Sequence, residues 1–241
     1  MLTIMAKKIS LIFILLFLVH PVFAEPAENS QGIKSRKIVY LTFDADMTRG
    51  MAKRLESGKV SSWYSPGLVS YLEEEHIPAT IFVAGMFAEL YAPVVRGLAQ
   101  TQGIVIGNHT YDHPAFESPC YGLPTISKDA DKKDEITKTQ EILKSLIGYS
   151  PKYFRYPGLC RDEHDDRIVE DLGLTVADDG IASGDAFSTN SKNIVRTVLS
   201  EVKDGSVVIM HLGGPNAPET ETALKEIVPT LQLRGYEFRT L

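Results

Sequence analysis

The chain has 241 residues, 44% of them hydrophobic, with 31 acidic against 25 basic residues and a formal charge of −6. That length suits one large α/β domain with a substantial core. The acidic balance argues against nucleic acid or an anionic membrane surface as main partner, since both select a basic face, and it is indifferent to a neutral glycan.

In chain order, Lys7 and Lys8 precede an apolar run over 9–19, and Val22-Phe23-Ala24 follows. A basic start, a short apolar core and a small-residue end read as a secretory signal peptide over 1–24. The run falls short of the roughly 18–20 residues a membrane span needs. No later stretch is long enough either. The chain is therefore expected to be exported, periplasmic or secreted, with no membrane span after signal cleavage. Residues 25–36 are short and polar and read as a linker. The two cysteines, Cys120 and Cys160, both lie in the exported part. An oxidising compartment favours a disulfide over free thiols.

From residue 37 onward, short β-rich runs at 38–43, 79–83, 104–106, 153–154, 174–177, 207–210 and 236–241 alternate with helical patterns. The helices are expected over 66–75, 87–100, 131–146, 167–171, 194–202 and 219–233. The one from Asp131 is the clearest, with Ile136, Leu143 and Ile147 on one stripe, acidic residues early and Gly148 just past its end. Such alternation implies βα units and a mostly parallel sheet, in a barrel or a doubly wound form. The stretch 46–65 has no clear period and reads as a long functional loop after the first strand. Its Trp63-Tyr64 pair either packs on the core or lines a groove, where aromatic faces stack on sugar rings.

Polar residues at the carboxyl ends of parallel strands are where sites are built. The first strand ends in Asp44-Ala45-Asp46, whose carboxylates are either site groups or turn formers. The third ends in His109-Thr110-Tyr111-Asp112-His113. Two histidines four apart share a face if the segment makes one helical turn, and with a carboxylate they chelate a divalent ion. Arg155 and His211 each follow an apolar strand; alone, each reads equally as a structural residue. Repetition at one end of a sheet favours a site.

Taken in order, Thr42-Phe43-Asp44, His109 to His113, Arg155-Tyr156-Pro157-Gly158, Ser183-Gly184-Asp185 and Ile209-Met210-His211 resemble the five motifs of the polysaccharide deacetylases. These are the NodB-like proteins, or carbohydrate esterase family 4. The resemblance spans about 37–241, as one catalytic domain. It implies an α/β fold, a distorted (β/α) barrel of about seven strands. By the same resemblance Asp44 is the general base, Arg155 its ion-pair partner, and His109 and His113 metal ligands. His211 is the general acid, Asp185 orients it, and the Gly158 N–H helps hold the oxyanion. The implied substrate is an N-acetylated glycan. The family's usual second Asp of the first motif, a metal ligand, is Ala45 here, so Asp46 is expected to take its place. Two imidazoles and an oxygen suit Zn²⁺, although Co²⁺ and Ni²⁺ accept the same donors. Gly158 and Ala186 stand where the family often has Tyr and Trp, which implies a less aromatic pocket. Two other readings remain: an O-acetyl esterase or non-sugar amide hydrolase on the same site, and a glycan-binding pseudoenzyme, motivated by Ala45.

Overall fold

The computed structural model describes residues 36–241. The expected signal peptide (1–24) and the linker (25–36), apart from Arg36, lie outside the described residues. The strands, in chain order, are β1 (Lys37–Ala45), β2 (Ala79–Val83), β3 (Ile104–Asn108), β4 (Tyr153–Phe154), β5 (Thr175–Val176), β6 (Ile181–Ala182), β7 (Ser206–His211) and β8 (Tyr236–Arg239). The helices are α1 (Arg49–Glu56), α2 (Pro66–Glu74), α3 (Gly85–Leu90), α4 (Ala92–Gln100), α5 (Asp129–Ile147), α6 (Glu163–Asp171), α7 (Ser191–Glu201) and α8 (Thr220–Leu233).

All strands belong to one sheet of order β5-β4-β3-β2-β1-β7-β6, with β8 paired to the start of β1. Every pairing is parallel. The sheet curls into an incomplete (β/α) barrel. β2 is buried on both faces along its length, and β1 is so from Leu41 onward, as central parallel strands are. Val39, Leu41, Phe43, Ile81, Val83, Ile106, Val208 and Met210 meet Leu224, Ile227 and Leu231 of α8 and Val95 and Leu98 of α4 in the main core. A second cluster of Phe116, Phe154, Tyr156, Ile168 and Val169 fills the side under α6. Because the strands run parallel, their carboxyl ends all open at one end of the sheet. Among the described residues no helix is long and apolar enough to cross a membrane.

Four local expectations are corrected. Part of the supposed loop 46–65 is α1, opened by the Thr48 side chain accepting from the Met51 N–H. The helix expected over 87–100 is two helices divided at Tyr91, with Pro93 in the first turn of the second, where its missing N–H costs nothing. The helix expected at 167–171 begins at Glu163, behind a capping box in which Asp162 and Asp165 exchange bonds with each other's backbone. An eighth strand, β6, is only two residues long and too short to show a pattern.

Candidate metal and catalytic site

Asp44 is the penultimate residue of β1, and Asp46 follows just past its end. With a side-chain period of two, both turn to the same side while Ala45 between them packs into the core. The alternation brings Asp46, and not Ala45, to the two histidines. Asp46 Oδ1 lies 3.4 Å from His109 Nε2 and 3.3 Å from His113 Nε2. Asp46, His109 and His113 are all buried, and each offers a donor atom within 4.8 Å of the others.

The two histidines are not on a helix. The chain leaves β3 as a tight loop in which Thr110 (φ 62°) and His113 (φ 67°) adopt left-handed backbone, uncommon for such residues. Pro114 prevents helical continuation. The loop is braced from α5: Glu135 Oε2 accepts from the Tyr111 and Asp112 N–H groups at 2.8 and 3.0 Å. Asn108 Oδ1 accepts from the Thr110 N–H, while its Nδ2 donates to the Ile136 carbonyl and Gln140. Backbone strain of this kind persists where surroundings over-determine it, commonly at functional sites.

The donor set fits a divalent cation. His109 Nδ1 lies 2.8 Å from the Arg155 carbonyl, which can only accept, so Nδ1 carries the proton and the Nε2 lone pair is free. Asp46 Oδ1 is buried with no hydrogen-bond partner among the described residues, beside two imidazoles. Burial opposes the Asp46 charge, but His113, His211 and His109 outweigh it and hold its carboxyl well below the usual carboxylate range. Burial likewise disfavours a charged His109, yet Asp44 and Asp46 together raise it. Protons therefore compete for the same nitrogen, and cation affinity weakens in acid.

Two polar pairs flank this trio. Arg155 is completely buried; its Nη1 donates to Asp44 Oδ1 at 2.9 Å and to Thr42 Oγ1 at 2.7 Å. Its Nε and Nη2 both donate to the Ala177 carbonyl. The guanidinium is thus fixed, and Asp44 Oδ2 remains directed at the cluster, 4.0 Å from His109 Nε2. His211, at the end of β7, pairs in register with Asp44. Its Nδ1 lies 2.8 Å from Asp185 Oδ1, and Asp185 Oδ2 accepts from the His211 N–H and from Thr220 Oγ1, each at 2.7 Å. Nε2 consequently faces Asp46, at 3.5 Å from Oδ2. Burial disfavours the imidazolium, but Asp185 and Asp46 overcome it and push His211 up to about 10. The same contacts outweigh burial at Asp185 and lower its carboxyl.

A cavity of about 200 Å³ opens against Asp44, His109, His113, Asp185 and His211. Gly158 lines it with φ 63°, and an added Cβ there would sit 2.5 Å from Cys120 Sγ. Cys120 and Cys160 form a disulfide that ties this turn to the loop after His113. Trp63 does not line the cavity: it is 4% exposed, packs in the main core and donates Nε1 to the Met51 carbonyl. Tyr64 packs edge-on against Phe87 and Tyr91, also away from the cavity. Neither residue lines the cavity, so the sugar-groove reading of this pair gains no support at this site: Trp63 is covered by the core, and Tyr64 is half-buried against Phe87 and Tyr91. Thr220, Asn216 and Glu135 do not stand out in the sequence, and Thr42 enters there only as part of the first motif. Asn216 Nδ2 reaches Asp46 Oδ2 at 3.4 Å. Single Thr, Asn and Glu residues carry no spacing signal, and only the fold brings them to the site.

The sequence profile of the polysaccharide deacetylases matches residues 31–177, more than half of the chain. The chain belongs to the polysaccharide deacetylase family. It is 30% identical over 179 residues to the peptidoglycan-N-acetylglucosamine deacetylase of Bacillus cereus, a match covering 74% of this chain and 62% of that protein. It is 26% identical over 189 residues to the chitooligosaccharide deacetylase of Azorhizobium caulinodans, covering 73% and 86% respectively. Among solved structures, a peptidoglycan N-acetylglucosamine deacetylase in complex with an N-oxidanyl-benzamide superposes with a TM-score of 0.71 at 27% identity, over 86% of this chain and 87% of that one. A family 4 acetyl xylan esterase from Clostridium thermocellum, in complex with a cobalt ion, gives 0.67 at 26% identity over 85% and 88%.

Proposed function

We propose that this chain is an exported, divalent-metal-dependent hydrolase that removes N-acetyl groups from an amino-sugar polymer or oligomer, such as peptidoglycan or a chitin-like chain. The observation that carries the reading is the meeting, at one end of the sheet, of three candidate ligands with an Asp–Arg pair and a His–Asp pair. The B. cereus and A. caulinodans relatives bear names of this chemistry.

Asp46, His109 and His113 would hold the ion, most naturally Zn²⁺, with Co²⁺ and Ni²⁺ as alternatives. When bound, it supplies Lewis acidity, which acidifies the attacking water and polarises the amide carbonyl. Asp44 takes the proton of the attacking water on Oδ2, since Oδ1 is held by Arg155. His211 hands a proton from Nε2 to the departing nitrogen, kept in the right tautomer by Asp185 at Nδ1. The Gly158 N–H, in the turn after Pro157, would add a donor for the developing oxyanion. Asp44 and His211 each have one side-chain atom fixed by a neighbour and another turned inward.

The acyl-ester reading is motivated by the acetyl xylan esterase likeness, since the same acid, base and ion serve an ester. Against the pseudoenzyme reading, motivated by Ala45, speaks the position of Asp46, 3.4 and 3.3 Å from the two imidazoles. The discriminating experiment incubates the full chain with Zn²⁺ or Co²⁺ on N-acetylglucosamine oligomers and on acetylated xylan, and measures acetate. Release from the oligomers alone supports the amide reading; release from xylan alone replaces it with the esterase.

A further inference from the structure

The cavity beside the site has an uneven chemistry. Its polar lining consists of the groups already assigned to the reaction, together with Ser183, whose hydroxyl accepts from the Asp185 N–H. The remaining wall is apolar: Leu123 and Leu159 on the disulfide-tied side, Ile209 and Ala186 opposite, and Tyr121 with Phe187 at the mouth. Tyr121 and Phe187 are 73% and 75% exposed, and their rings lean on each other at 5.3 Å between centroids. No side chain of this wall, except the Tyr121 hydroxyl at the rim, offers a hydrogen bond.

A sugar ring placed inside would set several hydroxyls against hydrocarbon, and unpaired polar groups in such a setting are costly. An acyl tail carries no such penalty. The two substituents of the scissile amide therefore sort themselves, with the sugar outward over the Tyr121–Phe187 rim and the acyl group inward. Size then matters. An engineered cavity of about 150 Å³ lined by Leu, Ile and Phe holds a whole benzene molecule. The space here is about 200 Å³. That space also has to hold the ion, the attacking water and the amide beside Asp44, His109 and His113, and the methyl of an acetyl group occupies only part of what remains along the apolar wall.

The geometry points to an N-acyl specificity wider than acetyl: the cavity accepts acyl groups of about four to six carbons, or one aromatic ring, on the amino sugar, in keeping with the benzene-sized space. This rests on the deacylase reading for which bond is cut, but the fit of the tail is a property of the wall alone. Ala186 contributes only a methyl to the wall. Leu123 and Leu159 are held in place by the bridge between Cys120 and Cys160. Water is the co-reactant, and hydrolysis yields the free amine and the corresponding carboxylic acid.

The test uses the full chain and chitotriose carrying N-acetyl, N-butanoyl or N-hexanoyl groups. Calorimetric affinity is measured for each, and acid release is measured with Zn²⁺ present. Burial of a methylene is worth about 0.8 kcal/mol, so affinity should rise about fourfold for each added carbon. In Ala186→Trp, which fills the cavity, the gradient should vanish; Phe187→Ala, at an exposed position, should flatten it without threatening the fold. Affinity that is flat or falls beyond acetyl in the wild type overturns the inference, as does a gradient unchanged in both variants. Acetate release without a gradient leaves the deacetylase reading standing and removes this one. A gradient without acid release from any substrate does the reverse.

Discussion

Replacing Asp178 by Asn tests how the protein tolerates a buried charge next to its catalytic pair. Asp178 is 6% exposed; Oδ1 accepts from the Tyr156 N–H at 3.1 Å, and Oδ2 has no hydrogen-bond partner among the described residues. Burial pushes the carboxyl up from 3.8 to about 7, opposed by Arg155, the Tyr156 N–H and Arg161 and assisted by Asp44. The folded state thus keeps a proton that the unfolded chain has already lost. Where the folded state binds more protons, stability falls as pH rises. The fall begins near the unfolded value of 3.8 and ends near the folded value of about 7. At about 1.4 kcal/mol per pH unit, the part lying between about pH 5 and pH 8 is roughly 3 kcal/mol. Asn keeps the acceptor for Tyr156 and cannot ionise. Urea unfolding of both proteins at the two pH values should show the variant gaining roughly 3 kcal/mol on the wild type as pH rises. A stability difference that does not change with pH would refute the reasoning.

Three further outcomes follow from the site. Asp185→Asn removes the charge that supports the His211 imidazolium, so its pKa should drop below about 10. Turnover should slow by about 10²–10⁴ through the loss of a well-held acid, read by NMR titration of the ring alongside the pH–rate profile. Glu135→Ala unfastens the His109–His113 loop, and ion affinity should weaken about tenfold or more with helix content unchanged, as circular dichroism can check. Removing the Cys120–Cys160 bridge in a double Ser variant frees a loop of sequence separation 40. That should cost about 4 kcal/mol on the chain-entropy account, seen as a lower urea midpoint.

Much of this architecture can be read from the amino acids because each βα unit repeats one pattern. β1 and β7 stand out as apolar runs, and each leaves a polar residue at its carboxyl end. Asp44, His109, Arg155 and His211 were recognisable by that placement, and their order along the chain added the family. What escaped was set by tertiary context. α1 turns only Met51, Ala52 and Leu55 toward the core, a stripe too short to reveal it. The break at Tyr91 follows from Pro93, which opens a helix as readily as it ends one. The histidines meet through left-handed backbone at Thr110 and His113, which the i, i+4 spacing does not reveal. Trp63 and Tyr64 show no period, and only the neighbouring elements decide where their rings pack. The exchange of Ala45 for Asp46 as candidate ligand is a matter of strand alternation. It was expressible from sequence, but needed the cluster's position to be settled.

The central claim is that Asp46, with His109 and His113, holds a divalent ion on which deacetylation depends. The most direct measurement is the metal content of the purified full chain and its Asp46→Ala variant by mass spectrometry, paired with acetate release from N-acetylglucosamine oligomers. The account predicts about one ion per wild-type chain, as an open three-ligand site holds, with loss of both ion and acetate release in the variant. A wild type that binds no ion and releases no acetate with added Zn²⁺ or Co²⁺, or a variant that retains both, would contradict it.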